Sequence, residues 1–381
     1  MALGDGIRRN LATVSPSERN LFIDAVIKLN QLYYPGSRTD FPAGHVSAWF
    51  KQDEIHQSSH VHGCPAFLPW HRELCNRFEA LLRVIHPELS LHYWDWNLDP
   101  SHMPDGKGGF INLFDDQFMG NADGTVNGGS VGEPLLSAGF YKPNPSDGNF
   151  RDNHSPIRLK RPDPNDPSTW SYPVHYNPAD PPKTLTRNKQ AGAPLVGVPG
   201  SGWPKDSDFI KAQTWEEFRH LMYGTEKQGT NPQGAHGAAH GYIGGNLANS
   251  HISFRDPFVF LLHANVDRLW AMWQLQPDNP ERLNSAKIYD DQGNTPGNGD
   301  VESSIHHPSW GILSPLEPWA GLSAQTPLDP GPPPTGTGII TNLWPIRPWF
   351  APENAQNLLE NHKTSLSVVI PPSYDTAPHS S

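Results

Sequence analysis

Apolar residues recur at helical spacing in three stretches of the chain, each with its own start or stop signal. In SPSERNLFIDAVIKLNQLYY, residues 15–34, Leu21, Phe22, Ala25, Val26 and Leu29 fall on one face and predict an amphipathic helix. Ser15 stands where a cap is needed, Pro16 in the first turn and Glu18 three residues after the cap. In WHRELCNRFEALLRVIH, residues 70–86, the apolar positions Leu74, Phe78, Leu81, Leu82 and Ile85 predict a second helix stopped by Pro87, with His71 in its first turn. The strongest pattern is DPFVFLLHANVDRLWAMWQLQ, residues 256–276, with Asp256 as cap, Pro257 at the first position and Leu262, Val266, Leu269, Trp270 and Trp273 supplying apolar faces. Shorter helices are predicted over 214–223, over 234–242 before Gly244-Gly245, and over 47–57, where Trp49, Asp53 and His56 share one side.

From about 99 to 210 the periodicity gives way to Pro, Gly, Asn and Asp, and a Pro-rich stretch returns beyond 312. With 41 Pro and 34 Gly in 381 residues, much of the chain must be ordered loop, arranged as excursions over one compact scaffold rather than as a second domain. A short edge strand is expected in SLSVVIPPSYDT near the end. The whole of 1–381 therefore reads as a single, mainly helical domain with little β structure.

Net charge is −11, with no Lys/Arg run of the kind that grips phosphates, which argues against a nucleic-acid partner. No apolar run approaches the roughly 20 residues that span a bilayer, and the N-terminus lacks an apolar signal core. The chain reads as soluble, cytoplasmic or secreted after removal of a leader. Cys64 and Cys75 allow at most one local bridge and no zinc-finger spacing.

Histidine is the unusual count, 19 residues against 28 Lys and Arg together. His62 and His71 stand nine apart in HVHGCPAFLPWHR, across a Pro-containing loop and into a helix. His236 and His240, in HGAAH, lie at i and i+4 and so present both imidazoles on one face, about 5–6 Å apart. His263 lies on the 256–276 helix with Asp267 four residues later, placed to accept its second ring N–H. HGAAH lacks the general-base Glu that a zinc protease of the HExxH type carries directly after its first His. All-imidazole ligation suits copper or zinc, and spacing does not choose between them.

The segments HGCPAFLPWHREL, LHYWDW, HGAAHGYIGG and DPFVFLLHANVDRLWAMW resemble, in order and spacing, the copper-A and copper-B segments of the type-3 copper proteins: tyrosinases, catechol oxidases and hemocyanins. The resemblance runs over about residues 8–276, with the copper-A segment at about 45–86 and the copper-B segment at about 234–276. It implies a four-helix bundle around a dinuclear copper centre, each of the two copper ions held by three His, with O₂ as co-substrate. By motif, His62 and His71 are the second and third copper-A ligands and His236, His240 and His263 the three copper-B ligands. For the first copper-A ligand His56 is preferred, being on a predicted helix, with His45 and His60 as alternatives. Around the metals and the substrate pocket the resemblance points to Gly237, Leu262, Asp267, His251 and Gln233.

The sequence departs from the family in places. His60 stands where some members carry a Cys joined to a His, Gly237 stands where good monophenol hydroxylases often have Asn, and Pro232 stands where many plant members have a Glu that orders water. Gln233 and Glu226 are the nearby groups able to substitute for that Glu. These features imply an oxidase that uses O₂ to convert small phenolic substrates, o-diphenols or o-aminophenols, to o-quinones or quinone imines, with weak or no monophenol hydroxylation. The alternatives are a hemocyanin-like O₂ carrier and a full tyrosinase. A dinuclear zinc hydrolase is less favoured, because such sites usually include carboxylate ligands.

Overall fold

The computed structural model describes residues 3–32, 48–49, 52–53, 56, 62, 67–115, 118–120, 187–189, 204–224, 234–249, 252–283 and 372–376. Six α-helices occur among them: α1 (Pro16–Gln31), α2 (Phe67–Ile85), α3 (Asp206–Lys211), α4 (Trp215–Tyr223), α5 (Gly234–Ile243) and α6 (Phe258–Gln274). The strand content is small. β1 (Met103–Pro104) and β2 (Phe110–Ile111) pair antiparallel, with Met103 opposite Ile111. Gln52, Asp53 and His56 are helical, within the predicted 47–57 segment, and the rest of that segment lies outside the described residues.

Every residue of α6 is buried. A helix apolar on all sides belongs inside the layers rather than on them, and α2, α3 and α5 all pack against it. The Phe78 and Phe260 rings stack at 3.7 Å between centroids, and Trp49 meets both edge-on at 5.7 Å. Those three rings join α2, α6 and the segment carrying His56.

α1 forms as its sequence dictates. Ser15 Oγ accepts from the Glu18 amide at 3.1 Å, and Phe22, Ala25, Val26 and Leu29 are fully buried. α2 begins three residues earlier than its apolar period suggests, at Phe67. Pro69 is tolerated there because the first turn of a helix has no acceptor for its N–H groups. His71 is thereby one full turn into α2 rather than in its first turn.

Asp256 was expected to cap α6, yet it stands one residue further out. Its Oδ1 accepts from the Phe258 amide at 2.9 Å, and both its oxygens receive the Arg187 guanidinium, at 2.6 and 2.7 Å. The stretch 99–210 is not loop alone, since it contains the β1–β2 hairpin and α3. Near the C-terminus the expected strand reduces, among the described residues, to a parallel bridge between Tyr374 and Arg8.

A buried charge network fastens the two ends of the chain to the helices. Arg8 donates to Glu79 at 2.7 Å and to Asp267 at 3.0 Å, while Arg72 and the Tyr374 hydroxyl also donate to Asp267. Burial works against the Arg8 charge, but Glu79, Tyr374 and Asp267 hold its pKa well above the ordinary value. Cys75 is a buried free thiol beside this network, and Cys64 lies outside the described residues. Among the described residues no helix is long and apolar enough to cross a membrane.

His92 gives the fold an acid-sensitive point away from the other histidines. It is fully buried, edge-on to Phe22, and Glu18 Oε1 at 3.6 Å is beyond hydrogen-bond reach. Burial therefore dominates and pushes its pKa down to about 3. Between pH 6.5 and about 3 the unfolded chain holds a proton on His92 that the folded chain does not, so stability falls as pH falls through that window. The slope from this one group is about 1.4 kcal/mol per pH unit. Denaturant unfolding between pH 6.5 and 5, above the carboxylate range, should give a shallower acid loss in His92→Gln than in the parent at the same metal content. Parallel slopes would contradict the assignment.

Candidate metal centre

Two groups of three histidines are gathered inside the helical layers: His56, His62 and His71, and His236, His240 and His263. In each group one ring nitrogen per residue lies within 4.8 Å of the others, and neither group contains a carboxylate. Ring centroids are 5.0–5.7 Å apart in the first group and 4.5–5.3 Å in the second. The groups adjoin, since the rings of His71 and His263 stack at 4.6 Å with an interplanar angle of 11°.

Local structure delivers each ring. His71 sits four residues after Phe67 on α2, and its Nδ1 donates to the Phe67 carbonyl at 2.9 Å. His236 and His240 share a face of α5, a helix that needs glycine at both ends. Gly234 has φ +55 and a Cβ there would strike the backbone of Gly224 and Met222. Gly244 has φ +70 and a Cβ there would lie 2.6 Å from the Asn188 carbonyl oxygen. The turn that follows Gly244 brings the Leu247 carbonyl within 2.6 Å of His240 Nδ1. A carbonyl only accepts, so both His71 and His240 carry their proton on Nδ1 and keep the Nε2 lone pair for a ligand.

Electrostatics fix the charge state. Burial, aided by the neighbouring His240 and His71, holds His236 well below the usual histidine range. Burial pushes His240 down to about 4, and burial with His71, His236 and His240 holds His263 well below its ordinary value. These rings are neutral at pH 7, the form in which imidazole binds metal.

The residues fit a metal ion in each group. His240 Nε2 and His263 Nε2 approach to 3.2 Å, and His236 Nε2 and His263 Nδ1 are buried with no hydrogen-bond partner. His236 is half-exposed as a residue, but its Nε2 is sealed from solvent. A set of three imidazoles without carboxylates suits copper or zinc.

Some expected partners are elsewhere. Asp267 does not orient His263, because Arg72, Arg8 and Tyr374 take both of its oxygens. Leu262 is fully buried in the apolar core, and Gly237 is half-buried between His236 and His240 on α5. His251, Gln233, Glu226, His45 and His60 lie outside the described residues.

Two aromatic residues were not singled out by the sequence. Phe67 lies 4.1 Å from the ring of His71 and 4.9 Å from that of His236, and Phe254 lies 4.2 Å from His56 and 5.1 Å from His263. Each touches both groups and lines the space around them with apolar surface. The i−4 spacing of Phe67 to His71 was the available signal for the first, whereas Phe254 has none.

Residues 38–276 match the family described as the common central domain of tyrosinase. The chain is 29% identical over 225 residues to a tyrosinase-like protein, tyr-3, of Caenorhabditis elegans, covering 57% of this chain and 25% of that protein. It is 27% identical over 300 residues to grixazone synthase of Streptomyces griseus, covering 74% of this chain and 89% of that enzyme. Among solved structures, a polyphenol oxidase variant from Thermothelomyces thermophila shares the fold with a TM-score of 0.51 at 20% identity, over 81% of each chain.

Two substitutions separate ligand from scaffold. His56→Ala should lower bound copper from two ions per chain to one, measured by metal analysis after reconstitution, whereas His45→Ala and His60→Ala should keep two. Asp267→Asn should keep both ions yet destabilise the fold by about 3 kcal/mol, the scale of breaking a buried ion pair, measured by denaturant unfolding. Loss of copper from Asp267→Asn at unchanged stability would return it to the role the sequence suggested.

Proposed function

The chain belongs to the tyrosinase family, and on that premise we propose that it is a dinuclear copper oxidase of o-diphenols or o-aminophenols, with little monophenol hydroxylation. Tyrosinase-family enzymes are oxidoreductases that act on phenols, and the family implies a dinuclear copper centre that the two histidine triads fit. In this reading His56, His62 and His71 hold one copper and His236, His240 and His263 the other. The helical residues Gln52, Asp53 and His56, with α2, α5 and α6, then belong to the four helices expected of the bundle. The single observation carrying the proposal is the pair of adjoining, carboxylate-free, buried triads joined by the His71–His263 stack.

Copper, when bound, supplies the redox chemistry with O₂; the chain supplies geometry, access and proton control. Each o-diphenol gives up two electrons and two protons, so two diphenols reduce one O₂ to two waters. Burial keeps His236, His240 and His263 neutral, and the Phe67 and Leu247 carbonyls hold His71 and His240 in the tautomer that leaves Nε2 available. Phe67 and Phe254 exclude water from two sides.

Substrate choice follows from proton handling. A phenol has a pKa near 10, so at neutral pH about one molecule in a thousand is ionised. Hydroxylation of a monophenol needs a base beside the second triad to raise that fraction, and Gly237 offers none. An o-diphenol carries two adjacent hydroxyls and depends less on such a base. Gly237, without a side chain next to His236, also leaves room for ring substituents.

Oxygen uptake on a matched monophenol and o-diphenol, with the lag suppressed by trace diphenol, tests the reading. The diphenol should be faster by at least about a hundredfold, the lower scale of a general-base contribution. Comparable rates would assign full tyrosinase activity, and reversible O₂ binding without turnover of any phenol would assign an O₂ carrier.

A further inference from the structure

Asp53 and Arg255 are 0% and 2% exposed, and Arg255 Nε donates to Asp53 Oδ2 at 2.8 Å. Asp53 precedes His56 by three residues, both in helical conformation, so the two lie on neighbouring positions of one helical face. Arg255 closes the 3₁₀ turn Ser253–Arg255 that leads into α6, the helix of His263. The same turn presents Phe254 against the rings of His56 at 4.2 Å and His263 at 5.1 Å. The next residue, Asp256, is gripped by both ends of the Arg187 guanidinium, which also donates to the Met119 and Gly120 carbonyls.

We propose that the Asp53–Arg255 pair is a positioning element that sets the first histidine triad against the second, an inference that rests on the dinuclear copper reading above. Within the triads, helical backbone carries every ring but that of His62, and backbone carbonyls fix His71 and His240. Between the rings of the two triads the contacts are apolar or aromatic, and these tolerate sliding; Arg72–Asp267 ties the helices of His71 and His263 one turn away but does not reach the segment of His56. The Asp53–Arg255 pair is directional and buried, and it joins the helical segment of His56 to the start of the His263 helix. Asp256–Arg187 anchors that start from the other side, so the turn does not drift with either helix. Binding of one ion by three imidazoles does not need this pair. Electronic coupling of two ions does, because it depends on their separation, and functional groups must be held within about 0.5 Å of the productive geometry.

The test uses the full chain, reconstituted with Cu(II), and reads copper content, helical circular dichroism and electron paramagnetic resonance together. Two coupled Cu(II) ions are silent in resonance, whereas uncoupled ions give a signal. Asp53→Asn/Arg255→Gln removes both charges of the pair together, so neither is left facing the other's neutral replacement. Glu79→Gln is the control, because it breaks the buried Arg8–Glu79 pair away from the triads. The double variant should keep its helicity and two coppers per chain but show the signal of uncoupled Cu(II), while the parent and Glu79→Gln stay silent. A silent double variant with two coppers, or an equal signal in Glu79→Gln, would overturn the proposal. Should the double variant not fold, Asp53→Glu keeps the charge but lengthens the arm, and with two coppers bound it is expected to show the signal; silence there overturns the proposal equally. A parent that binds fewer than two coppers overturns the copper reading, and the positioning role falls with it.

Discussion

Burial of the His236, His240 and His263 rings inside packed helices forces them to stay uncharged, since protonated imidazoles would be both desolvated and mutually repelled at ring separations of about 5 Å. The surrounding structure answers that demand. Carbonyls of Phe67 and Leu247 take the Nδ1 protons of His71 and His240, and the phenylalanines at 67 and 254 keep water out. Buried ring nitrogens without a hydrogen-bond partner, such as His236 Nε2, are costly in an apolar interior unless a metal uses their lone pair.

Helix α6 carries this arrangement because it is buried throughout and packs against α2, α3 and α5. Its start and middle are pinned by ion pairs from distant parts of the chain. Arg187 and Arg255 act at its start, and Arg8 and Arg72 converge on Asp267 one turn beyond His263. Buried ion pairs add little net stability over apolar packing, but breaking one partner costs several kcal/mol, so they impose geometry more than they add stability. The aromatic stacks between α2 and α6 supply the bulk of the packing, and the charges set its register.

What the sequence made legible was local. The Ser15 cap and the i, i+4 pair of His236 and His240 follow from spacing alone, and the structure forms both as read. The start of α2 was not legible, because its apolar period begins at Leu74 and Pro69 reads as a break until helix-terminal hydrogen bonding is considered. Asp267 was misread for a different reason. Its spacing to His263 was correct, but Arg8 reaches it from 259 residues away and no local pattern announces such a competitor. The same holds for Asp53 and Arg255, 202 residues apart. α3 escaped because six residues are too few to display a period.

The central claim is that each triad holds one copper ion. Crystals of the copper-reconstituted chain, measured on either side of the copper absorption edge, test it directly through the anomalous difference map. The account predicts two peaks of similar height per chain, one bounded by His56, His62 and His71 and the other by His236, His240 and His263. A single peak, or copper held by any other set of side chains, would contradict it.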